Sequence, residues 1–538
     1  MRALSVPVVL SSLVLGSWLP RAAAQDANVG ALPAPAPTQG AQGQAADEAP
    51  APGTIPQPTP DNPGIVTGIT LGELYTDNLK LAAPGQPKDT SWVTTVEPFV
   101  RAAVGGQRFS GWADYQLTGY LYSGGGSTAQ VAQNLNAQGT LSVLPQHLFV
   151  DGLVSYGRAI INNQLPSGSG TYFLSGNQAN VASGTLSPYW LQDLGRLGTF
   201  SARYAIGRVS YNRSGISNDA AGTLSGIPDF TSQSVQLALN SPQFETWGWN
   251  AQYSQQRIEP DQGRSIRFAN AKIGISRQIS LNGRLLADIG KEDKYLPDGT
   301  IKPLGAGLWD VGVEWSTARD SFKLMGGHRF YGHSADLSWT HTAALLTTVV
   351  SYQEQPTSLG QQLLGQNFGA SLVPPTNIGG LGGLGGLGGL GGIGLPSGSL
   401  GQIPSLANRQ VYLMKRATAS GTYEMPRSNL TLTLYNETRD YFLFGSGQEK
   451  VADAQLGWLW NLGPYTTFTP TIGWQRYKFM DGAINYTRFG ELDLVHQINP
   501  GNFASLKFIN NSRNAYTPVP GAHDYRVNVV YFQWTHLF

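Results

Sequence analysis

Histidine and carboxylate close together are the first candidates for chemistry in this chain: His328, His333, Asp336 and His341 cluster near the outer end of one predicted hairpin. An imidazole oriented by a carboxylate is what a general base needs, and hydrolases set into a membrane rim use such groups. Here the spacing fixes no Ser-His or Asp-His order. His328 and His333 are five apart, which is not the H-x-x-x-H spacing of a metal pair. Gly380, Gly382 and Gly385 satisfy G-x-G-x-x-G, but only inside a Gly-Gly-Leu repeat. That repeat lacks the preceding strand, the following helix and the downstream acid of a dinucleotide site. The chain has no Cys, so it has no thiolate ligand, no Cys nucleophile and no disulfide. The expectation is no catalytic residue, no metal and no cofactor.

Charges placed singly at alternate positions say more. Glu97, Arg101, Asp114, Asp151, Arg203, Lys272, Arg284, Asp288 and Asp310 each fall on the polar side of an alternating segment. So do Glu314, Lys323, Arg329, Glu437, Arg439, Asp453, Glu491 and Asp493. Facing a lumen, opposite charges on adjacent strands pair and support the wall, and each hydrated pair contributes little. The same set, with no ring of one sign, describes a wet pore of weak ion selectivity. Trp112 and Tyr435 share that side, where aromatics either stack on sugar rings or fill space.

The elements that carry these residues are strands. In 109–121, Phe109, Gly111, Ala113, Tyr115, Leu117, Gly119 and Leu121 alternate with Ser110, Trp112, Asp114, Gln116 and Thr118. Residues 309–316 and 452–462 repeat this two-residue period, which gives a strand one apolar and one polar face. Tight turns near 105–107, 145–147, 241–243, 280–283, 426–427, 463–464 and 499–501 take turns with long polar connections. The latter fall near 78–90, 122–131, 162–177, 211–229, 258–265, 292–306, 353–408, 440–449 and 512–523. Trimmed turns at one end and long loops at the other are the pattern of an outer-membrane barrel. The predicted fold is all-β: an antiparallel up-and-down transmembrane barrel of about 22 strands, in the range of about 18–24, with both termini periplasmic. Barrels that wide carry a folded plug in known transporters, which a short Pro-rich segment does not supply.

Composition agrees. Charged residues are 13%, against roughly 25% in soluble proteins, while hydrophobics are 41% and mean hydropathy is −0.18. A closed barrel satisfies its backbone internally with only half of each strand apolar. A net charge of +1 excludes a nucleic-acid binder. Arg2, the apolar stretch 3–19 and Ala22-Ala23-Ala24 read as a signal peptide cleaved after Ala24. The Pro-rich stretch 25–64 reads as a disordered periplasmic tether, 65–538 as the barrel, and 353–408 as a long Gly/Leu-rich extracellular loop that narrows the lumen if it folds inward. Phe532, Trp534 and the terminal Phe538 form an aromatic ending that serves as an assembly signal. Implied partners are outer-membrane lipid and lipopolysaccharide, the barrel-assembly machinery and a polysaccharide, in the outer membrane of a Gram-negative bacterium.

Several segments resemble the outer-membrane β-barrel family associated with PEP-CTERM/exosortase systems. They are Leu-Tyr-Thr-Asp-Asn-Leu at 74–79, Leu-Phe-Val-Asp-Gly-Leu-Val-Ser at 148–155, the hairpin from Gly327 to Asp336, Ser-Tyr-Gln-Glu-Gln-Pro-Thr at 351–357 and the ending Trp534 to Phe538. The resemblance runs through most of 65–538 and implies a barrel linked to exopolysaccharide and surface-protein sorting, with no site residue to carry over. The expected function is a wide aqueous channel or export conduit for exopolysaccharide or a related surface polymer. The alternatives are a structural or adhesive surface barrel whose loops bind matrix, and, third, a rim-located hydrolase.

Overall fold

The computed structural model describes residues 58–123, 129–168, 170–212, 228–242, 246–262, 264–296, 300–358, 411–441, 447–516 and 521–538. The expected signal peptide, the tether up to residue 57, and the Gly-Leu tract with Gly380, Gly382 and Gly385 lie outside them. The described chain is a succession of strands. β1 (Gly64–Thr76), β2 (Ser91–Gly105), β3 (Phe109–Tyr122), β4 (Ala129–Leu144), β5 (Leu148–Ile160) and β6 (Gln178–Asp193) come first. Then follow β7 (Thr199–Asn212), β8 (Phe230–Asn240), β9 (Trp247–Pro260), β10 (Ile266–Gln278), β11 (Gly283–Tyr295) and β12 (Ile301–Ser316). β13 (Asp320–Arg329), β14 (Gly332–Thr342), β15 (Leu346–Thr357), β16 (Tyr412–Met425) and β17 (Ser428–Tyr441) continue the wall. β18 (Gly447–Gly463), β19 (Thr466–Lys478), β20 (Ile484–Asn499), β21 (Asn502–Tyr516) and β22 (Tyr525–Leu537) complete it.

Each strand pairs antiparallel with the next, and β1 pairs with β22 from Gly68↔Leu537 to Thr76↔Val529, which closes a 22-stranded barrel. No sheet edge is left for another chain to extend. Connections after even-numbered strands are short, such as 106–108, 426–427 and 500–501, whereas those after β1, β5 and β15 run through 77–90, 161–177 and 358–411. One outer connection departs from this pattern: β13 and β14 are joined by Phe330 and Tyr331 alone. The connection expected at 292–306 is largely strand. β11 runs to Tyr295 and β12 starts at Ile301, and a register shift between Glu292 and Lys294 breaks the two-residue period that would have shown it.

Faces follow from the pleat. Cross-strand partners share a side, so one chain of pairs fixes inward and outward around the whole wall. Ile273 is 62% and Ile289 69% exposed, and with Ile275, Leu285, Trp309 and Val311 they form part of an apolar outer band. Apolar surface of that extent, on a closed sheet whose strands pair with one another around the whole ring, is a wall facing lipid. Ile289→Arg, at the middle of β11, is therefore expected to lower barrel stability by about 2–4 kcal/mol, whereas Ser254→Arg, inward in the middle of β9, changes it by less than about 1 kcal/mol. Urea unfolding in lipid vesicles reads the difference.

Candidate functional site

The lumen is built from the inward half of every strand. All of the alternating charges singled out from the sequence project to this side: Glu97 and Arg101 on β2, Asp114 on β3, Asp151 on β5, Arg203 on β7, Lys272 on β10, Arg284 and Asp288 on β11. Asp310 and Glu314 on β12, Lys323 and Arg329 on β13, Glu437 and Arg439 on β17, Asp453 on β18, and Glu491 and Asp493 on β20 complete the set. Most are brought into pairs. Arg101 meets Asp114 at 3.2 Å, Arg203 meets Asp151 at 2.7 Å, and Lys272 meets Asp288 at 3.4 Å. Arg329 bridges Glu292 (3.3 Å) and Asp310 (3.2 Å), and Lys507 bridges Glu491 (2.8 Å) and Asp493 (3.3 Å). Arg284, Glu314 and Lys323 stand in one register row without such a contact within ion-pair distance among the described residues. Glu97 accepts hydrogen bonds from Tyr531 (2.7 Å) and Gln116 (2.8 Å), and Asp453 from Gln475 (3.4 Å). Lumenal ions not reached from the sequence include Glu292, Arg416, Glu449 and Lys507, each the partner of a charge named above, and Arg513 on β21. Applying the same alternation one strand further would have found them.

The wall is electrically uneven. β8 turns Ser232, Ser234, Gln236 and Asn240 inward, and β9 turns Asn250, Gln252, Ser254 and Gln256. Neither strand presents a charge to the lumen. β4 adds Asn134, Asn136, Gln138 and Thr140. Between these neutral strands stands the Arg203–Asp151 ion pair, with the Arg203 guanidinium 4.1 Å from the Tyr189 ring. Amides and hydroxyls of this kind exchange hydrogen bonds with water or with other hydroxyl groups at little cost.

One of the long connections expected from the sequence, that between β5 and β6, closes part of the outer mouth. Residues 161–168 and 170–177, between β5 and β6, fold over the lumen and reach inward-facing side chains of β20, β21 and β22. Tyr525 donates to the Ser167 carbonyl (2.6 Å), Asn485 to that of Asn163 (3.1 Å), and Arg513 to that of Gln164. Tyr122 donates to the Tyr172 carbonyl at 2.9 Å, and the Gln164 side chain donates to Asp481 at 2.9 Å. Tyr172 and Phe173 are buried in one apolar cluster with Leu74, Leu79, Leu81, Val93, Val527 and Tyr531. Burial holds the Tyr172 phenol neutral by raising its pKa well above the ordinary value. A Cβ at Gly168 or Gly170 would run into the rings of Phe173 and Tyr172, which is why the stretch carries glycine there. The connection 77–90 locks against it: Leu174 N–H donates to the Leu79 carbonyl (3.2 Å), and the Asn78 amide brackets Ala82. Beneath the cap, Asn163, Gln475, Tyr477, Thr487 and Arg513 line a small cleft. The inward-folding role considered for 353–408 falls mainly on residues outside the described ones.

The histidine grouping does not form a site. His328 and His333 face each other on the outer side of the wall, ring centroids 5.9 Å apart, while Asp336 lies on the inner side of the same strand. His341 is at the opposite end of the hairpin, its Nδ1 2.8 Å from Asp320. Alternation explains the separation, because an odd offset between 333 and 336 places the two side chains on opposite faces. At the carboxy terminus, Phe532 and Trp534 point outward and Phe538 is exposed.

A closed barrel with an apolar outer band, a polar interior, short turns at one end and long connections at the other is an outer-membrane β-barrel of the Gram-negative type. No family model matches the chain, and no curated protein matches it. Among solved structures it is similar to the FrpB iron transporter from Neisseria meningitidis (F3-3 variant), at 10% identity over 88% of this chain and 81% of that one, TM-score 0.48. It is also similar to the siderophore receptor PirA from Pseudomonas aeruginosa, at 8% identity over 90% and 81%, TM-score 0.43, and to PirA from Acinetobacter baumannii, at 7% over 88% and 80%, TM-score 0.43. Likeness at this level carries no argument about cargo.

Proposed function

We propose that the protein is an aqueous conduit through the outer membrane for a neutral, hydroxyl-rich polymer of the exopolysaccharide class, with its outer mouth controlled by the 161–177 cap. The observation that carries this reading is the uncharged amide and hydroxyl surface of β8 and β9, faced across the lumen by β20 and β21, where Lys507 is held between Glu491 and Asp493. A sliding sugar chain needs many weak, replaceable hydrogen bonds and no fixed charge to hold it. Inward aromatics such as Trp112 and Tyr189 add faces on which sugar rings stack. The exposed aromatic ending of β22 suits recognition by the barrel-assembly machinery, and removing Phe538 is expected to reduce the folded outer-membrane yield several-fold, read by heat-modifiable gel migration.

Planar-bilayer recording tests the conduit. Neutral linear oligosaccharides are expected to interrupt the ion current, with residence times that fall when Gln236, Gln252 and Gln256 are replaced together by alanine. A barrel with the cap removed that conducts no current at any voltage contradicts the proposal, and so does current that oligosaccharides never interrupt.

A further inference from the structure

The outer wall carries a second feature, independent of what passes through the lumen. Lys450 on β18, Arg476 and Lys478 on β19, Arg488 on β20 and Arg526 on β22 all face outward at the loop-bearing end of the barrel. Lys450 stands directly opposite Lys478 in the ladder. Two ammonium groups so placed on adjacent strands repel each other and destabilise the pair unless an anion lies between them. Arg488 and Arg526 occupy one register row, each directly opposite Ser512, so the row reads Arg488–Ser512–Arg526. With strands about 4.8 Å apart, the two guanidiniums flank the serine hydroxyl across about 10 Å, within reach of one tetrahedral anion.

No carboxylate among the described residues pairs with these cations, and acids on the neighbouring strand ends and connections are engaged elsewhere. Asp440 holds Lys415 (3.4 Å) and accepts from Gln448 (2.6 Å). Asp481 holds Gln164 and the Ala483 N–H, Asp77 holds Asn528 and faces Lys88, and Asp524 accepts from the Ala515 N–H. The opposite arc of the same wall is different: there Arg208 meets Asp261 at 2.9 Å and Arg257 meets Glu259 at 2.7 Å. The depth of the cationic group is set by its neighbours. Exposed Ile472, Leu492, Phe508 and Val530 lie on the barrel side of it. Outward aromatics accompany it, with Trp474 and Tyr486 rings 6.4 Å apart and Tyr486 and Tyr516 rings 6.0 Å apart. Tyr and Trp collect where hydrocarbon gives way to headgroups.

We infer that this arc of β18–β22 is a binding site for the phosphorylated glycolipid of the outer leaflet. The lipid A phosphates lie between Lys450 and Lys478 and over the Arg488–Ser512–Arg526 row, and the acyl chains lie along Ile472, Leu492, Phe508 and Val530. The test uses the full-length barrel refolded in detergent and incubated with bisphosphorylated lipid A, dephosphorylated lipid A or phosphatidylglycerol, with bound lipid read by native mass spectrometry. Lipid A is expected to be retained about tenfold better than either competitor, and the K450Q/K478Q/R488Q/R526Q variant to lose about tenfold of that retention. Arg208→Gln with Arg257→Gln, whose guanidiniums already have carboxylate partners, leaves retention unchanged. Equal retention of dephosphorylated lipid A or of phosphatidylglycerol overturns the inference. Full retention by the quadruple variant, or an equal loss in the control pair, overturns it too. Should the quadruple variant not fold, R488Q/R526Q alone is expected to lose about threefold, and unchanged retention there has the same overturning force.

Discussion

Replacing residues 163–175 by a short Gly-Ser linker is expected to raise the ion current through a single barrel by about twofold or more, because that segment occupies lumen cross-section at the outer mouth. Its contacts reach from the β5–β6 side to β20–β22, and they are of a kind that can be broken without unfolding the wall. Arg513, Asn485 and Tyr525 are side chains of the barrel, and each donates to a backbone carbonyl of the cap. Two variants therefore separate cap removal from cap release. Arg513→Leu with Tyr525→Phe takes away two donors, one of them charged, at an expected combined cost to the closed position of about 2–4 kcal/mol. By population shift that is a change of about 30- to 1000-fold in the closed-to-open ratio. The open-state current of this double variant should match that of the linker variant, while its open probability exceeds that of the unmodified protein. Currents unchanged in both variants would show that the segment obstructs nothing.

The second large effect belongs to the ion network behind the outer half of β17 and β18. Arg439 is fully buried and pairs with Glu437 and, at 3.5 Å, with Glu449, while donating to the Tyr477 hydroxyl at 2.7 Å. Arg416 supports Glu437 from the next strand at 2.6 Å, and Tyr441 and Tyr477 donate to Glu449 at 3.0 and 2.8 Å. Desolvating such a group is offset only while every charge keeps its partner. Arg439→Met takes the buried cation away from Glu449 and halves the ionic support of Glu437, so urea unfolding in vesicles should show a loss of about 3–5 kcal/mol. Adding Glu449→Gln to the same chain should recover a substantial part of it, because the carboxylate left without its buried cation is then gone. A loss under about 1 kcal/mol for Arg439→Met would mean that the network is wetter than its burial indicates.

Much of this molecule is legible in its alternation. A two-residue period has a simple geometric consequence, and that is why Glu97, Asp310, Arg439 and the other charges chosen by parity alone all project to one side of the wall. The same rule places His333 and Asp336 on opposite faces and so rules out a shared site. Alternation fails where the ladder slips, as between Glu292 and Lys294, and there the pattern predicts a loop where strand continues. It is also silent about connections. Nothing in the composition of 161–177 distinguishes a loop that folds inward from one that projects outward, because the deciding contacts, Tyr525 to Ser167 and Asn485 to Asn163, join residues more than 300 positions apart. The outward cationic arc was equally hidden. Lys450 and Lys478 become neighbours only when the register of β18 against β19 is known.

The absence of cysteine makes the two faces of the wall directly measurable. Single substitutions Gln236→Cys and Ser254→Cys face inward, and Leu237→Cys and Ile289→Cys face outward, with Gln236 and Leu237 adjacent in one strand. In barrels embedded in lipid nanodiscs, a membrane-impermeant maleimide should modify the first two rapidly and leave the last two unreacted until detergent removes the lipid. Equal labelling at positions 236 and 237, or protection of 236 with ready modification of 237, would contradict a water-filled barrel bounded by lipid.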